Sequence, residues 1–323
     1  MNCRICGNSI GNKTMSVREM QHGLRERFQY IICVSCGCIQ ISDIPNDMAR
    51  YYPSDYYSFD SEEGKEFLSA DLGFFKKHQA DYLTGNDKNI MGRIFSMRYI
   101  PPRVYHWIRT MQLKKHHRVL DIGCGTGLTL KRMYQIGFTN LTGVDPFIKQ
   151  DYTYSDTFHV YKKDPLQMDE SNKYDCIMMH HSFEHMEFEK EVLKKCERML
   201  HQDGKMLVRI PVVSEQLMSI YKTDLVSLDA PRHFYIHTTE SMKIISGSAS
   251  LKIDHVEYDA DASSFWASEQ YKNDIPLTDE RSYGKNRSQS GFTKTRIRDF
   301  KKQISRMNKN GTSDTAAFYL SKS

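Results

Sequence analysis

From residue 118 onward, short apolar runs alternate with longer segments whose apolar positions recur at helical spacing. The runs predict strands near 118–122, 140–145, 157–161, 174–180, 204–211, 251–258 and 315–322, with helices between most of them. Such alternation predicts an α/β fold with a mostly parallel sheet covered by helices on both faces. The closing run, TAAFYL at 315–320, has the pattern of a half-buried strand and is assigned as the antiparallel member. Residues 1–117 carry a different pattern: a cysteine-rich stretch to residue 50, then a tyrosine-rich segment and a mostly helical approach over 51–117.

The first predicted strand runs into a turn. VLDIGCGTGL at 119–128 places Asp121 at the strand end, then Gly123, Gly125 and Gly127, then helix-forming sequence. Glycines let backbone approach a ligand without Cβ collisions, and the helix start offers unpaired N–H groups at its positive end. The second strand ends at Asp145, roughly 20 residues on, where a carboxylate meets ribose hydroxyls in nucleotide-cofactor folds. The loop reads D-x-G-x-G-x-G, with Leu128 where the third glycine of the dinucleotide fingerprint would fall.

With Val144-Asp145-Pro146, KYDCIMMHHSFEHM at 173–186 and GKMLVRIP at 204–211 following in order, the chain resembles the class I S-adenosylmethionine-dependent methyltransferases. The resemblance implies a Rossmann-like sheet of seven strands over 118–323 and S-adenosylmethionine as cofactor. It places Asp121, the three glycines, Asp145, Pro146 and His181 along the cofactor. The topology adds Asp164 and Leu166, after the third strand, at the adenine; a solvated loop carboxylate is the other reading of Asp164. Ligands in such sheets sit at the carboxyl ends of the strands.

The length of 323 residues suits one α/β domain with small additions, and no apolar stretch approaches a membrane span. The opening MNCRICGNSI lacks a charged-then-apolar leader, so a cytoplasmic location and reduced thiols are expected for the 8 cysteines. Four of them, Cys3-x-x-Cys6 and Cys33-x-x-Cys36, have zinc-ribbon spacing, each pair followed by a glycine, Gly7 or Gly37. Two such knuckles complete a closed tetrahedral set of thiolates, so the expected zinc ion is structural. Cys38 and His22 are the alternative ligands.

Tyr51, Tyr52, Tyr56 and Tyr57 flank Pro53 in the segment after the ribbon, read as ordered packing or as substrate contact. A knuckle pair, a tyrosine–proline stretch and this core together resemble the deoxysugar C-methyltransferases and related glycan enzymes over residues 1–265. Methyl transfer from a sulfonium needs an in-line nucleophile and, for a hydroxyl or carbon acid, a proton acceptor. His233 matches the family's histidine; His185 and His181, beside Glu184, compete with it. The family's tyrosine three residues earlier is Ala230 here, and its acidic residue before the histidine is Arg232. The missing phenol shifts the expectation from C- to O-methylation of a sugar hydroxyl on a nucleotide- or lipid-linked glycan, with His233 as general base.

An insertion at about 270–312 concentrates the formal charge of +5: ten Lys or Arg lie between Arg281 and Lys309, against Asp299 alone. Within it, Ile297, Phe300, Ile304 and Met307 recur at helical spacing, so Thr293 to Met307 is a basic amphipathic helix. It either docks by its apolar stripe, grips a phosphate-bearing substrate, or touches a membrane peripherally. Ribbon cations Arg4, Lys13, Arg18, Arg25 and Arg27 keep an RNA substrate open, without the interleaved aromatics of a stacking platform. A non-catalytic zinc-dependent scaffold is the third reading.

Overall fold

The computed structural model describes residues 1–52, 72–98 and 101–323. The strands in chain order are β1 (Lys13–Arg18), β2 (Arg27–Ile32), β3 (Ile39–Ile41), β4 (Arg118–Ile122), β5 (Asn140–Val144), β6 (Tyr152–Ser155), β7 (Phe158–Tyr161), β8 (Tyr174–His180), β9 (Leu200–Pro211), β10 (Tyr235–Ile236), β11 (Leu251–Tyr258) and β12 (Thr315–Lys322). The helices are α1 (Gly73–Leu83), α2 (Ile90–Ser96), α3 (Arg103–Thr110), α4 (Leu128–Gln135), α5 (Glu189–Met199), α6 (Glu215–Tyr221), α7 (Thr239–Gly247), α8 (Ser263–Lys272) and α9 (Lys294–Asn310).

The main sheet has the order β11-β12-β9-β8-β4-β5-β7-β6. All seven expected strands are present, and β12 is antiparallel to both β9 and β11. The expectation of seven strands is corrected by one. β6 adds an antiparallel eighth at the edge, and its YTYS sequence lacks the apolar run that marked the others because none of its residues is fully buried. β4 pairs in parallel with β5 on one side and β8 on the other, so the chain leaves it in opposite directions and a crevice opens beyond its carboxyl end.

Strand alternation divides the apolar residues between two layers. Leu120, Ile122, Ile177 and Met179 face a core completed by Val192 and Leu193 of α5 and Met242 and Ile245 of α7. Val119, Cys176 and Met178 face the opposite core, with Val104 and Ile108 of α3 and Leu130 and Met133 of α4. Helices therefore cover both faces.

A third core joins the N-terminal residues to the insertion. Here β1, β2, β3 and β10 form a second sheet, so a short strand that follows His233 closes the N-terminal one. Ile297, Phe300, Ile304 and Met307 of α9 are buried in this core against Phe265 of α8 and Leu217 and Tyr221 of α6. The stripe that an interfacial helix would offer to lipid thus faces inward. No helix among the described residues is long and apolar enough to cross a membrane.

Candidate functional site

The crevice beyond β4 is held by backbone that only glycine permits. Gly123 has φ +70°, and a Cβ there would lie 2.3 Å from Ser182 Cβ. The glycine loop and the loop after β8 therefore touch, and Ser182 Oγ donates to the Ile122 carbonyl at 2.7 Å. Asp145 ties in the second strand: Gly125 N–H donates to its Oδ2 at 2.9 Å and Phe147 N–H to its Oδ1 at 2.8 Å. Gly127 precedes the first turn of α4. Pro146 is half-buried and Phe147, beside it, is exposed.

Asp121 is buried, and its Oδ1 has no hydrogen-bond partner among the described residues. Burial, and secondarily the Asp145 carboxylate, push its pKa up to about 8. Burial also raises Asp145. Two buried carboxylates on adjacent strands, one with an orphaned oxygen, suit a ligand that brings a cationic group and hydroxyl donors.

A second cluster stands next to this edge. Phe234 N–H donates to the Glu184 carbonyl at 2.8 Å, which fixes the His233 loop against the loop after β8. The His185 and His233 ring centroids are 4.8 Å apart. His233 Nδ1 lies 2.8 Å from the Ser227 carbonyl and His185 Nδ1 lies 2.7 Å from the Arg232 carbonyl. A carbonyl only accepts, so each Nδ1 carries a proton, and each Nε2 offers a lone pair whenever its ring is neutral. His233 Nε2 lies 3.9 Å from Glu184 Oε1 and 3.7 Å from Asp229 Oδ2. Burial would raise the Glu184 carboxyl, but the hydrogen bond from His181 and the charges of His185, His181 and His233 bring it down to about 2. Asp229 also reaches about 2, since Arg232 outweighs its burial.

The remaining assigned residues separate. His181 is exposed, with Nδ1 3.3 Å from Glu184 Oε1 and Nε2 against the Arg209 guanidinium, so its ring is tied into the edge of the sheet. Asp164 is exposed after β7 and caps the turn at Pro165–Gln167 by accepting from Leu166 N–H at 2.7 Å. Ala230 is buried. Arg232 is wholly buried between Asp229 at 2.6 Å and Glu19 at 3.0 Å, so this cation joins the site loop to the N-terminal sheet.

Tyr52, which the sequence left open between packing and substrate contact, joins the site, and His180 escaped the sequence reading. Tyr52 places its hydroxyl 3.3 Å from His185 Nδ1 and stacks on Phe147 with ring centroids 6.0 Å apart, bringing a phenol to the cluster from a segment remote in sequence. Pro53 to Tyr57 lie outside the described residues. His180 stacks on Trp107 at 4.1 Å with both ring nitrogens buried and without a hydrogen-bond partner among the described residues, and burial followed by Arg209 lowers it to about 3. The doubled histidine at 180–181 was the available signal.

At the N-terminus, one donor atom from each of Cys3, Cys6, Cys33 and Cys36 lies within 4.8 Å of the others, a group that includes neither Cys38 nor His22. Three ribbon cations have internal partners: Arg4 reaches Tyr235 and the Ile41 carbonyl, Arg18 reaches Asp224 and Asp274, and Arg25 reaches Asp274.

A family model described as a methyltransferase domain matches residues 97–256, the span that holds the glycine loop, Asp145 and the histidine cluster. Residues 97–256 therefore belong to a methyltransferase domain, built on the class I Rossmann-like sheet described above. Solved structures similar to the methyltransferase include a SAM-dependent methyltransferase from Archaeoglobus fulgidus, at 19% identity over 72% of this chain and 99% of that one, TM-score 0.43. A cyclopropane synthase from Mycobacterium tuberculosis matches at 16% identity over 78% of this chain and 100% of that one, TM-score 0.44. An O-methyltransferase from a polyketide synthase of Brevibacillus brevis, in complex with S-adenosyl-L-homocysteine, matches at 13% over 78% and 81%, TM-score 0.42. No curated protein sequence matches the chain significantly.

Asp121 gives the methyltransferase a measurable trade-off. In the free protein it keeps a proton up to about pH 8, while the unfolded chain ionises it at the ordinary value of 3.8. This group therefore makes stability fall as pH rises through the neutral range. Asp121→Asn is expected to melt higher than wild type at neutral pH yet bind S-adenosylhomocysteine at least about tenfold more weakly, having lost the charge-assisted partner of the ammonium group. In wild type that affinity rises with pH toward about 8, as Asp121 becomes able to ionise. A melting curve and calorimetric titrations at several pH values check both signs.

Proposed function

We propose that the methyltransferase methylates a hydroxyl of a sugar on a nucleotide- or lipid-linked glycan precursor, with His233 as the proton acceptor. The observation that carries the reading is the Nε2 lone pair of His233, fixed by the Ser227 carbonyl and set beside the loop that abuts Gly123. Asp145 and Asp121 fit the cofactor: the first is already oriented by two backbone donors and retains lone pairs for ribose hydroxyls, and the second has an oxygen without a hydrogen-bond partner among the described residues. S-adenosylmethionine, when bound, supplies a methyl group on a positively charged sulfur that leaves as a neutral thioether. His233 takes the acceptor's proton on Nε2 as the new carbon–oxygen bond forms, and Glu184 and Asp229 steady the imidazolium.

The sugar assignment rests on the likeness of the ribbon, the tyrosine segment and the core to deoxysugar enzymes. A phosphate-bearing carrier is supported by exposed Lys301, Lys302 and Lys309 on α9. Buried Ala230 leaves no phenol at the position that C-methylation uses in that family, which favours oxygen as acceptor. Incubation with nucleotide-linked deoxysugars and isotope-labelled cofactor is expected to give a methyl ether by NMR. A new carbon–carbon bond would transfer the reading to C-methylation, with Tyr52 as the candidate phenol.

We infer further that Cys3, Cys6, Cys33 and Cys36 hold a structural zinc ion. Thiolates at about 2.3 Å from a tetrahedral ion lie about 3.8 Å apart. The Cys3–Cys36 and Cys6–Cys33 sulfur distances of 3.7 and 3.5 Å fit that geometry, and Cys36 N–H donates to Cys33 Sγ, a contact that steadies a thiolate.

A further inference from the structure

Glu184, His185 and His233 have a property that proton transfer alone does not require. One donor atom from each lies within 4.8 Å of the others, at a place remote in sequence from the four cysteines. Both histidines give Nδ1–H to main-chain carbonyls, of Arg232 and Ser227, the outer contact that orients imidazole ligands of metal ions and leaves Nε2 as the donor atom. Glu184 is fully buried, and its Oε2 has no hydrogen-bond partner among the described residues. A buried carboxylate oxygen without a partner is costly unless something is there to receive it.

We propose that Glu184, His185 and His233 bind a divalent first-row transition ion, and that the bound ion inhibits the enzyme by occupying the lone pair of its proton acceptor. Two imidazoles and one carboxylate suit zinc, and the set leaves a coordination position open. Ligand atoms of a tetrahedral ion at about 2.1 Å lie about 3.4 Å apart. The 3.9 Å between His233 Nε2 and Glu184 Oε1 needs only a small side-chain rotation to reach it. Asp229 Oδ2, 3.7 Å from His233 Nε2, adds negative charge beside the ion. The ion and the acceptor's proton compete for one nitrogen, so occupancy and turnover exclude each other. The binding site stands on geometry alone; only the inhibition rests on His233 being the proton acceptor.

The test uses full-length protein whose thiolate site has first been filled with zinc. Elemental analysis and calorimetric titration with further Zn2+ are expected to show a second equivalent, with affinity lowered about tenfold or more in Glu184→Gln and His185→Ala. An exposed histidine replaced elsewhere, His201→Ala, is expected to leave that affinity unchanged. Zinc at the second equivalent inhibits wild-type turnover reversibly, and whatever turnover His185→Ala retains at saturating acceptor is expected to resist the ion. Stoichiometry that stays at one, or a second ion whose affinity none of the variants alters, overturns the site. A second ion that binds through these residues and raises turnover overturns the competition, placing the failure in His233 as proton acceptor.

Discussion

His233→Ala is expected to lower kcat by a factor on the order of 100 to 10,000, the usual span for loss of a general base, while S-adenosylhomocysteine binding stays within about twofold of wild type. Among the described residues the polar partners of the His233 ring are Ser227, Glu184 and Asp229, apart from the glycine loop and Asp145 proposed for the cofactor. His185→Ala is the matched comparison. His185 is lowered by its burial, and its Nδ1 is committed to Arg232 and close to Tyr52, so it acts on the shape of the pocket. Its loss is expected to raise KM more than it lowers kcat. Single-turnover rates with saturating cofactor separate the two. If His185→Ala abolishes turnover and His233→Ala does not, the base has been assigned to the wrong ring.

Removing the zinc ion proposed for the four-cysteine site is the second large expected effect, because the N-terminal sheet is built into the pocket. β3 pairs with β10, two residues after His233. Tyr30 OH donates to the His233 carbonyl at 2.9 Å, Thr238 Oγ1 donates to the Cys36 carbonyl at 2.6 Å, and Arg4 donates to Tyr235 OH at 2.8 Å. Gly37, at φ +73°, has no room for a Cβ, which would lie 2.8 Å from Thr238. Thr238 itself caps α7 in a capping box with Ser241. Loosening the knuckles therefore frees both ends of the segment that carries His233. A strong chelator, or Cys36→Ser, is expected to cost on the order of several kcal/mol, to abolish turnover and to expose the amides of residues 233–237 to exchange. Cofactor binding persists more strongly than turnover, since β4, β5 and α4 lie in other cores. Unchanged melting and unchanged turnover after the chelator would show that the cysteines carry no structural ion.

The seven strands and the glycine turn after the first of them were legible because parallel strands buried on both faces leave continuous apolar runs, and because Gly123 and Asp145 sit at fixed distances from them. The edge strand β6 was not, since Tyr152–Ser155 is half-exposed and polar. What no local pattern encodes is long-range assembly. The contact of Tyr52 with His185, the salt bridge of Arg232 to Glu19 and the pairing of β10 with β3 each join residues more than a hundred positions apart. The docking of α9 was one of three readings of the same stripe, and only the third core, which its residues share with α6 and α8, distinguishes them.

The central claim is that Asp121, the glycine loop and Asp145 form a working cofactor site. Calorimetric titration of zinc-replete protein with S-adenosylhomocysteine, with NAD as control and Asp145→Ala as the matched variant, tests it most directly. The account predicts saturable binding of S-adenosylhomocysteine, none of NAD, and loss of binding in the variant. Failure of wild type to bind S-adenosylhomocysteine, or equal binding by Asp145→Ala, would contradict it.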